Sequence, residues 1–355
     1  MWKLRAPSEQ LLKWYEKKLL EGLSTRIKSN QDENDNILLD ERIQRILIPH
    51  NPDGSDDTSI LKLLLTLPPK ELHELSDHLM KQIIVNYDEG ELESFLEAKR
   101  KREDNRDEDE KIIYNKYNST LSKLRNVFDY DGQISSNKSR AYKLTFDQGY
   151  NTCTYCNRQY VITVGGTNDV SRIARPELDH WYSKELFPLM SLSIYNLIPS
   201  CSICNSSVKG NSIFRLSTHI HPYVESNDDP DFTFRYKLDS GAESKWTVVL
   251  DTASPQAQNM IDAFKLDKLY SYHGELEVKD ILLFNYQNSD TYLKFLLQDL
   301  LSHYHYSKQD IYRMIFGAEL DLSANLNRPF SKLKRDVLIQ LGIIEKDGDG
   351  FRFVE

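Results

Sequence analysis

The chain has 355 residues, 45 Lys and Arg against 54 Asp and Glu, a net charge of −9 and four cysteines. That length predicts two or three domains and enough core to fold without disulfides. No apolar run can span a bilayer and residues 1–7 carry no apolar signal-peptide core, so no membrane role and a cytoplasmic location are expected.

Residues 1–126 read as a helical region. Over 8–27, Leu11, Leu12, Trp14, Tyr15, Leu19, Leu20 and Leu23 recur at helical spacing. Residues 30–35 form a polar, acidic loop and 50–57 a turn. A leucine-rich helix follows over 59–67, and Pro68-Pro69 opens another through Leu72, Leu75, Leu79 and Ile83. Residues 89–124 predict one long charged helix. Its run 99–111 reads as a solvated face laced by i,i+4 pairs, with a docking surface as the alternative.

Residues 127–225 carry the chemistry. All four cysteines fall in two Cys-x-x-Cys pairs, Cys153/Cys156 and Cys201/Cys204. Two such pairs complete a tetrahedral thiolate site of the kind Zn²⁺ accepts; four thiolates leave no open position, so the ion would be structural. Two disulfides or a redox dithiol are the competing readings. Between the pairs, 158–164 reads as a β-branched strand closed by Gly165-Gly166. A short strand ends in Asp179-His180, where alternation sends carboxylate and imidazole to opposite sides. Asn196-Leu197-Ile198-Pro199 leads to the second pair, and 205–210 reads as a short helix ended by Gly210. Strand, loop, strand and helix clamped by zinc make a ββα-metal unit.

Residues 226–289 predict a hairpin over 232–238 and 246–250, a helix opened by Ser254-Pro255 and another near 275–284. Residues 290–355 predict helices at 291–305, 308–316 and 330–341, then a hairpin turning at Asp-Gly. That order resembles a winged-helix module; a helical tail packed on the core is the alternative. The fold class expected is α+β, mostly helical, with a small ββα-metal, treble-clef-like core stapled by the cysteines and flanked by helical regions.

Cys153-Thr-Tyr-Cys156-Asn157, Asp179-His180, Asn196-Leu-Ile-Pro199 and Cys201-Ser-Ile-Cys204-Asn205 together resemble the zinc-containing HNH endonucleases. The stretch 178–201, with His221-Pro222-Tyr223 downstream, is similar to the HNH subunit of Septu-type antiphage systems, retron-associated versions included. The core likeness covers about 149–223. It implies that His180 is the general base for water, that Asp179 and Asn205 hold a catalytic Mg²⁺ or Mn²⁺, and that Asn196 orients the loop carrying His180. With Asn205 as its third letter, the motif is an HNN variant; a hard amide oxygen there suits Mg²⁺. Lys184, Lys209 and Arg158 are candidates to hold phosphates, or else ordinary surface charges. His221 either lines the metal site or is a structural histidine before Pro222.

From 131 to 225 there are 9 Lys and Arg against 7 Asp and Glu, a balance of +2 that leaves −11 for the rest of the chain. So weak a basic surface predicts poor unaided binding of nucleic acid and a partner that delivers substrate or controls access. The resemblance implies that this partner is an ATPase and that the chain is the nuclease of an antiphage system acting on DNA or RNA, tRNA included. A non-catalytic zinc-stabilised nucleic-acid-binding or adaptor subunit, and a nuclease working alone, are the competing readings.

Overall fold

The N-terminal helices follow apolar spacing and local capping. In the computed structural model, residues 1–29, 39–165, 172–210, 212–224, 228–240, 244–288, 292, 295, 306–348 and 350–354 are described. Helix α1 (Glu9–Ser29) buries Leu11, Tyr15, Leu19, Leu23 and Ile27, one residue per turn. Helix α2 (Glu41–Leu47) starts at Asp40, whose carboxylate accepts the Ile43 N–H at 2.9 Å. Helices α3 (Ser59–Thr66) and α4 (Pro69–Ile83) follow, the latter with proline in its first turn. The predicted loop 30–35 lies outside the described residues.

The single helix expected over 89–124 is instead two, α5 (Leu92–Arg100) and α6 (Glu108–Val127), folded against each other. Burial decides this: Leu92, Phe95 and Leu96 of α5 and Tyr117, Leu121 and Leu124 of α6 go inside together, which one straight charged rod would prevent. Asp107 restarts the chain with a capping box to Glu110, and Arg106 closes the corner on the Ala98 carbonyl at 2.8 Å. Much of the charged run is thus a corner.

After α7 (Lys138–Gln148) comes the cysteine-bearing unit. Strand β1 (Glu177–His180) pairs antiparallel with β2 (Leu197–Ser200), with Asp179 opposite Ile198 and His180 opposite Leu197. The strand expected over 158–164 does not form; isolated bridges Thr152 to Tyr160 and Val164 to Ala174 are what remains of it. Among the described residues no partner strand covers its alternating apolar residues, and Tyr160, Ile162 and Val164 stand exposed. The short helix after Cys204 is a π-helical turn, Ile203–Lys209, ended by Gly210 at φ +52° and ψ −130°, a conformation glycine adopts without strain.

The hairpin β3 (Thr233–Asp239) and β4 (Lys245–Asp251) leads to α8 (Pro255–Ala263), α9 (Leu266–Ser271) and α10 (Glu277–Gln287). Gly274 sits so close to β4 that a Cβ would lie 2.0 Å from the Trp246 carbonyl oxygen. Helices α11 (Lys308–Phe316) and α12 (Ser331–Gln340) and the ribbon β5 (Ile344–Asp347) and β6 (Gly350–Phe353) finish the chain. Of the helix expected at 291–305, all but Tyr292 and Phe295 lie outside the described residues. In the winged-helix reading α12 would enter a DNA groove. Instead its Leu333, Arg335, Asp336, Val337 and Leu338 are buried, and it bonds β3 through Phe234 N to Asp336 Oδ2 at 2.9 Å, so it presents little surface to a groove.

The structure is therefore α+β and mostly helical, with three two-stranded antiparallel ribbons among the described residues. One hydrophobic core runs from Trp2 through the cysteine unit to Phe353, so the N- and C-terminal segments brace that unit from both sides. No helix among the described residues is long and apolar enough to cross a membrane.

Candidate active site

Two tight turns present the four cysteines. All four are buried and free, and their sulfurs lie within 4.8 Å of one another. Tetrahedral zinc with sulfurs at about 2.3 Å requires sulfurs roughly 3.8 Å apart; Cys156 and Cys201 stand at 3.9 Å. Backbone N–H groups of Arg158 and Cys204 point at Cys156 Sγ and Cys201 Sγ, each at 3.5 Å, as thiolates favour. Burial pushes the Cys153 thiol well up, so four thiolates here need a cation among them. The cluster could bind a metal such as zinc. Among the described residues it is the only group of three or more His, Cys, Asp or Glu with ligand atoms so close together.

Each turn also delivers a side chain to a carboxylate of the neighbouring cleft. Tyr155, between the first two cysteines, donates its hydroxyl to Asp179 Oδ2 at 2.6 Å. Asn205, just after Cys204, donates its amide to Glu177 Oε2 at 2.8 Å, and Ser206 Oγ reaches the same oxygen at 3.2 Å. Turned this way, Asn205 leaves its Oδ1 free of protein donors among the described residues. Glu177, Asp179, His180, Asn205 and Lys209 line one cleft of about 560 Å³. Sequence reasoning had not picked out Glu177. Its position two residues before Asp179, on the same side of β1, was the available signal.

His180 is held in one tautomer. Its Nε2 donates to the Ser191 carbonyl at 2.9 Å, which leaves Nδ1 as a bare acceptor with no protein partner among the described residues. The Tyr130 ring meets it edge-on at 4.3 Å. This enclosure pushes its pKa down to about 4; Asp179 and the Ser191 bond oppose the fall and the Lys184 and Lys209 cations add to it. The ring is neutral near pH 7. Asn196, fully buried, fixes the loop between the strands. Its Oδ1 accepts the Tyr182 N–H at 2.7 Å, and its Nδ2 donates to the Tyr182 and Met190 carbonyls, both at 3.0 Å. The carbonyl that holds His180 follows directly after Met190.

The nominated cations are all engaged. Lys209 is buried and donates to Asp179 Oδ2 at 2.6 Å and to the His180 carbonyl. Lys184 lines the cleft but pairs with Asp131 at 2.7 Å. Arg158 is not in the cleft; its Nε donates to His273 Nε2 at 2.9 Å. Two arginines that the sequence reading passed over, Arg125 and Arg175, do line it. His221 does not line the cleft. It is buried against Trp181, ring centroids 4.5 Å apart, with its Nδ1 accepting the Tyr223 N–H at 3.2 Å. Burial, helped by Lys209, pushes it down to about 3.

Compared with family models, curated proteins and solved structures, the chain matches none. The likeness to HNH endonucleases stands on the motif elements alone.

Proposed function

We propose that the chain is a metal-dependent HNH-type endonuclease whose active site is the cleft beside the cysteine cluster. The observation that carries this reading is His180: a neutral ring, locked with Nε2 on the Ser191 carbonyl, with a bare Nδ1, in a cleft shared with Asp179, Glu177 and Asn205. Nδ1 would take a proton from the attacking water as a general base. Asp179 Oδ1 and Asn205 Oδ1, both without protein donors among the described residues, would hold Mg²⁺ or Mn²⁺, with Glu177 keeping the Asn205 amide turned. Such an ion supplies charge neutralisation at the phosphate and the departing oxygen. Two protein oxygens suit Mg²⁺, which keeps several waters. The cysteine cluster would hold structural zinc, fixing Tyr155 against Asp179 and Asn205 against Glu177.

The likeness to Septu-type systems supports an antiphage effector acting on DNA or RNA in the cytoplasm, controlled by an ATPase partner. One observation favours the rival, a zinc-stabilised binding or adaptor subunit without cleavage: Asp179 Oδ2 is already taken by Lys209 and Tyr155.

Plasmid DNA and total tRNA incubated with Mg²⁺ or Mn²⁺, with and without a candidate ATPase, separate the two. Wild type should cut, and His180→Ala should lose about 10²–10⁴-fold in rate, the usual contribution of a general base. No cutting in any arm, or cutting untouched by His180→Ala, overturns the reading.

A further inference from the structure

The cleft carries four cationic and four acidic side chains. Most are already paired. Lys184 meets Asp131 at 2.7 Å, Lys209 meets Asp179 at 2.6 Å, and Glu185 meets Lys99 at 2.5 Å. Three charges remain. Glu177 lies beside Asn205, where a cation would sit. The others are Arg125 and Arg175, and among the described residues neither meets an acidic side chain. Arg175 donates Nη1 to the Pro176 carbonyl at 2.8 Å; Arg125 is exposed in the last turn of α6.

We propose that Arg125 and Arg175 form the phosphate clamp of this cleft and hold the backbone of a single nucleic-acid strand beside His180. This rests on the nuclease reading and extends it to the substrate. A guanidinium keeps its charge at any working pH and matches a phosphate with two parallel N–H donors. These two can do so without breaking an existing ion pair, whereas Lys184 and Lys209 would each leave a carboxylate behind. The size of the cleft points to one strand. At about 560 Å³ it is of small-ligand dimensions. Arg125 belongs to the helical N-terminal region, so that region supplies part of the substrate site as well as bracing it.

Fluorescence anisotropy tests this on the zinc-loaded full chain, with short labelled single-stranded DNA, single-stranded RNA and a duplex of the same sequence. Binding is read without Mg²⁺ across about 50–200 mM salt, cleavage of the same strands is read in parallel with Mn²⁺, and both are read with and without the candidate ATPase. Arg125→Ala and Arg175→Ala should each weaken single-strand binding several-fold. Each should also lower the slope of log Kd against log salt by about 0.7, the contribution of one phosphate contact on a single strand. Arg125→Lys should keep the slope. Arg235→Ala, an exposed change on β3, should alter nothing. The DNA and RNA arms tell which sugar the clamp accepts.

If wild type binds and both alanine variants keep its slope, the clamp is wrong; if wild type also cuts, the nuclease reading survives. If binding depends on the arginines but nothing is cut, the clamp stands and the nuclease reading falls. If folded wild type neither binds nor cuts, both fall. A duplex bound as tightly as the single strand overturns the single-strand assignment.

Discussion

Lys209 and Asp179 form an ion pair at 2.6 Å with side chains only 4% and 5% exposed. It joins the π-helical turn after Cys204 to β1, and the same ammonium reaches the His180 carbonyl. A buried pair of this kind is a weak source of net stability, but losing one member strands the other. Lys209→Met should therefore cost about 3–5 kcal/mol in urea unfolding. Lys209→Met with Asp179→Asn should recover much of that. A single variant as stable as wild type would contradict the arrangement.

Asn196 makes three buried hydrogen bonds that fix the loop supporting His180. Asn196→Ala leaves the Tyr182 carbonyl and N–H without partners, each worth about 1–3 kcal/mol when buried, while the Met190 carbonyl keeps the Ser193 N–H at 3.1 Å. A loss on the order of 3 kcal/mol is expected by denaturant melt after partial relaxation. If the nuclease reading holds, turnover should fall more than substrate affinity, because the Ser191 carbonyl that sets the His180 tautomer would drift.

Removing metal from the cysteine cluster should loosen the C-terminal end of the molecule. Asn157, at the end of the first cysteine turn, donates Nδ2 to the Asn325 carbonyl at 2.9 Å, and its own carbonyl accepts the Phe330 N–H at 2.8 Å. The C-terminal helices thus dock on the turn that the metal would shape. Purified protein should contain one zinc per chain, and chelation or Cys201→Ser should lower Tm and raise amide exchange across 325–341. Protein free of metal with an unchanged Tm would reject a structural ion.

His221 makes the fold sensitive to acid. Its folded-state pKa is pushed from 6.5 down to about 3 by burial and then by Lys209. Between those values the unfolded chain binds the proton and the folded chain does not, so stability is lost as pH falls through this window. His221→Phe keeps an aromatic ring against Trp181 and removes the titration. Its stability curve should be flatter than that of wild type between pH 6.5 and 4, as read by urea midpoints at several pH values. Parallel curves would show that His221 does not titrate.

The His73–Glu89 pair, Nε2 to Oε2 at 2.7 Å, acts in the opposite sense at higher pH. The hydrogen bond to Glu89 raises the His73 pKa above 6.5. Its contribution is fully present below that value and disappears as pH rises through the folded-state pKa. Arg215 joins the same carboxylate, tying α4 to the segment after the cysteine unit. His73→Gln should therefore cost stability at pH 6 and little at pH 9; an equal cost at both would show that its charge is irrelevant.

Much of this protein could be read from sequence because the signals are local. Apolar spacing set α1, and Pro69 and Ser254 marked where α4 and α8 begin. The spacing of two residues between paired cysteines placed the sulfurs together. Asp179 and His180 close the short strand β1, where the sequence placed them. What only the tertiary structure decided is which charge meets which. Lys209 looked free for phosphate and is buried on Asp179; Arg158 faces His273; Arg125, 55 residues before His180, lines the cleft. The fold of α5 against α6 and the missing strand at 158–164 have the same origin. Propensity acts within a few residues, whereas ion pairing and burial depend on distances that exist only once the chain has folded.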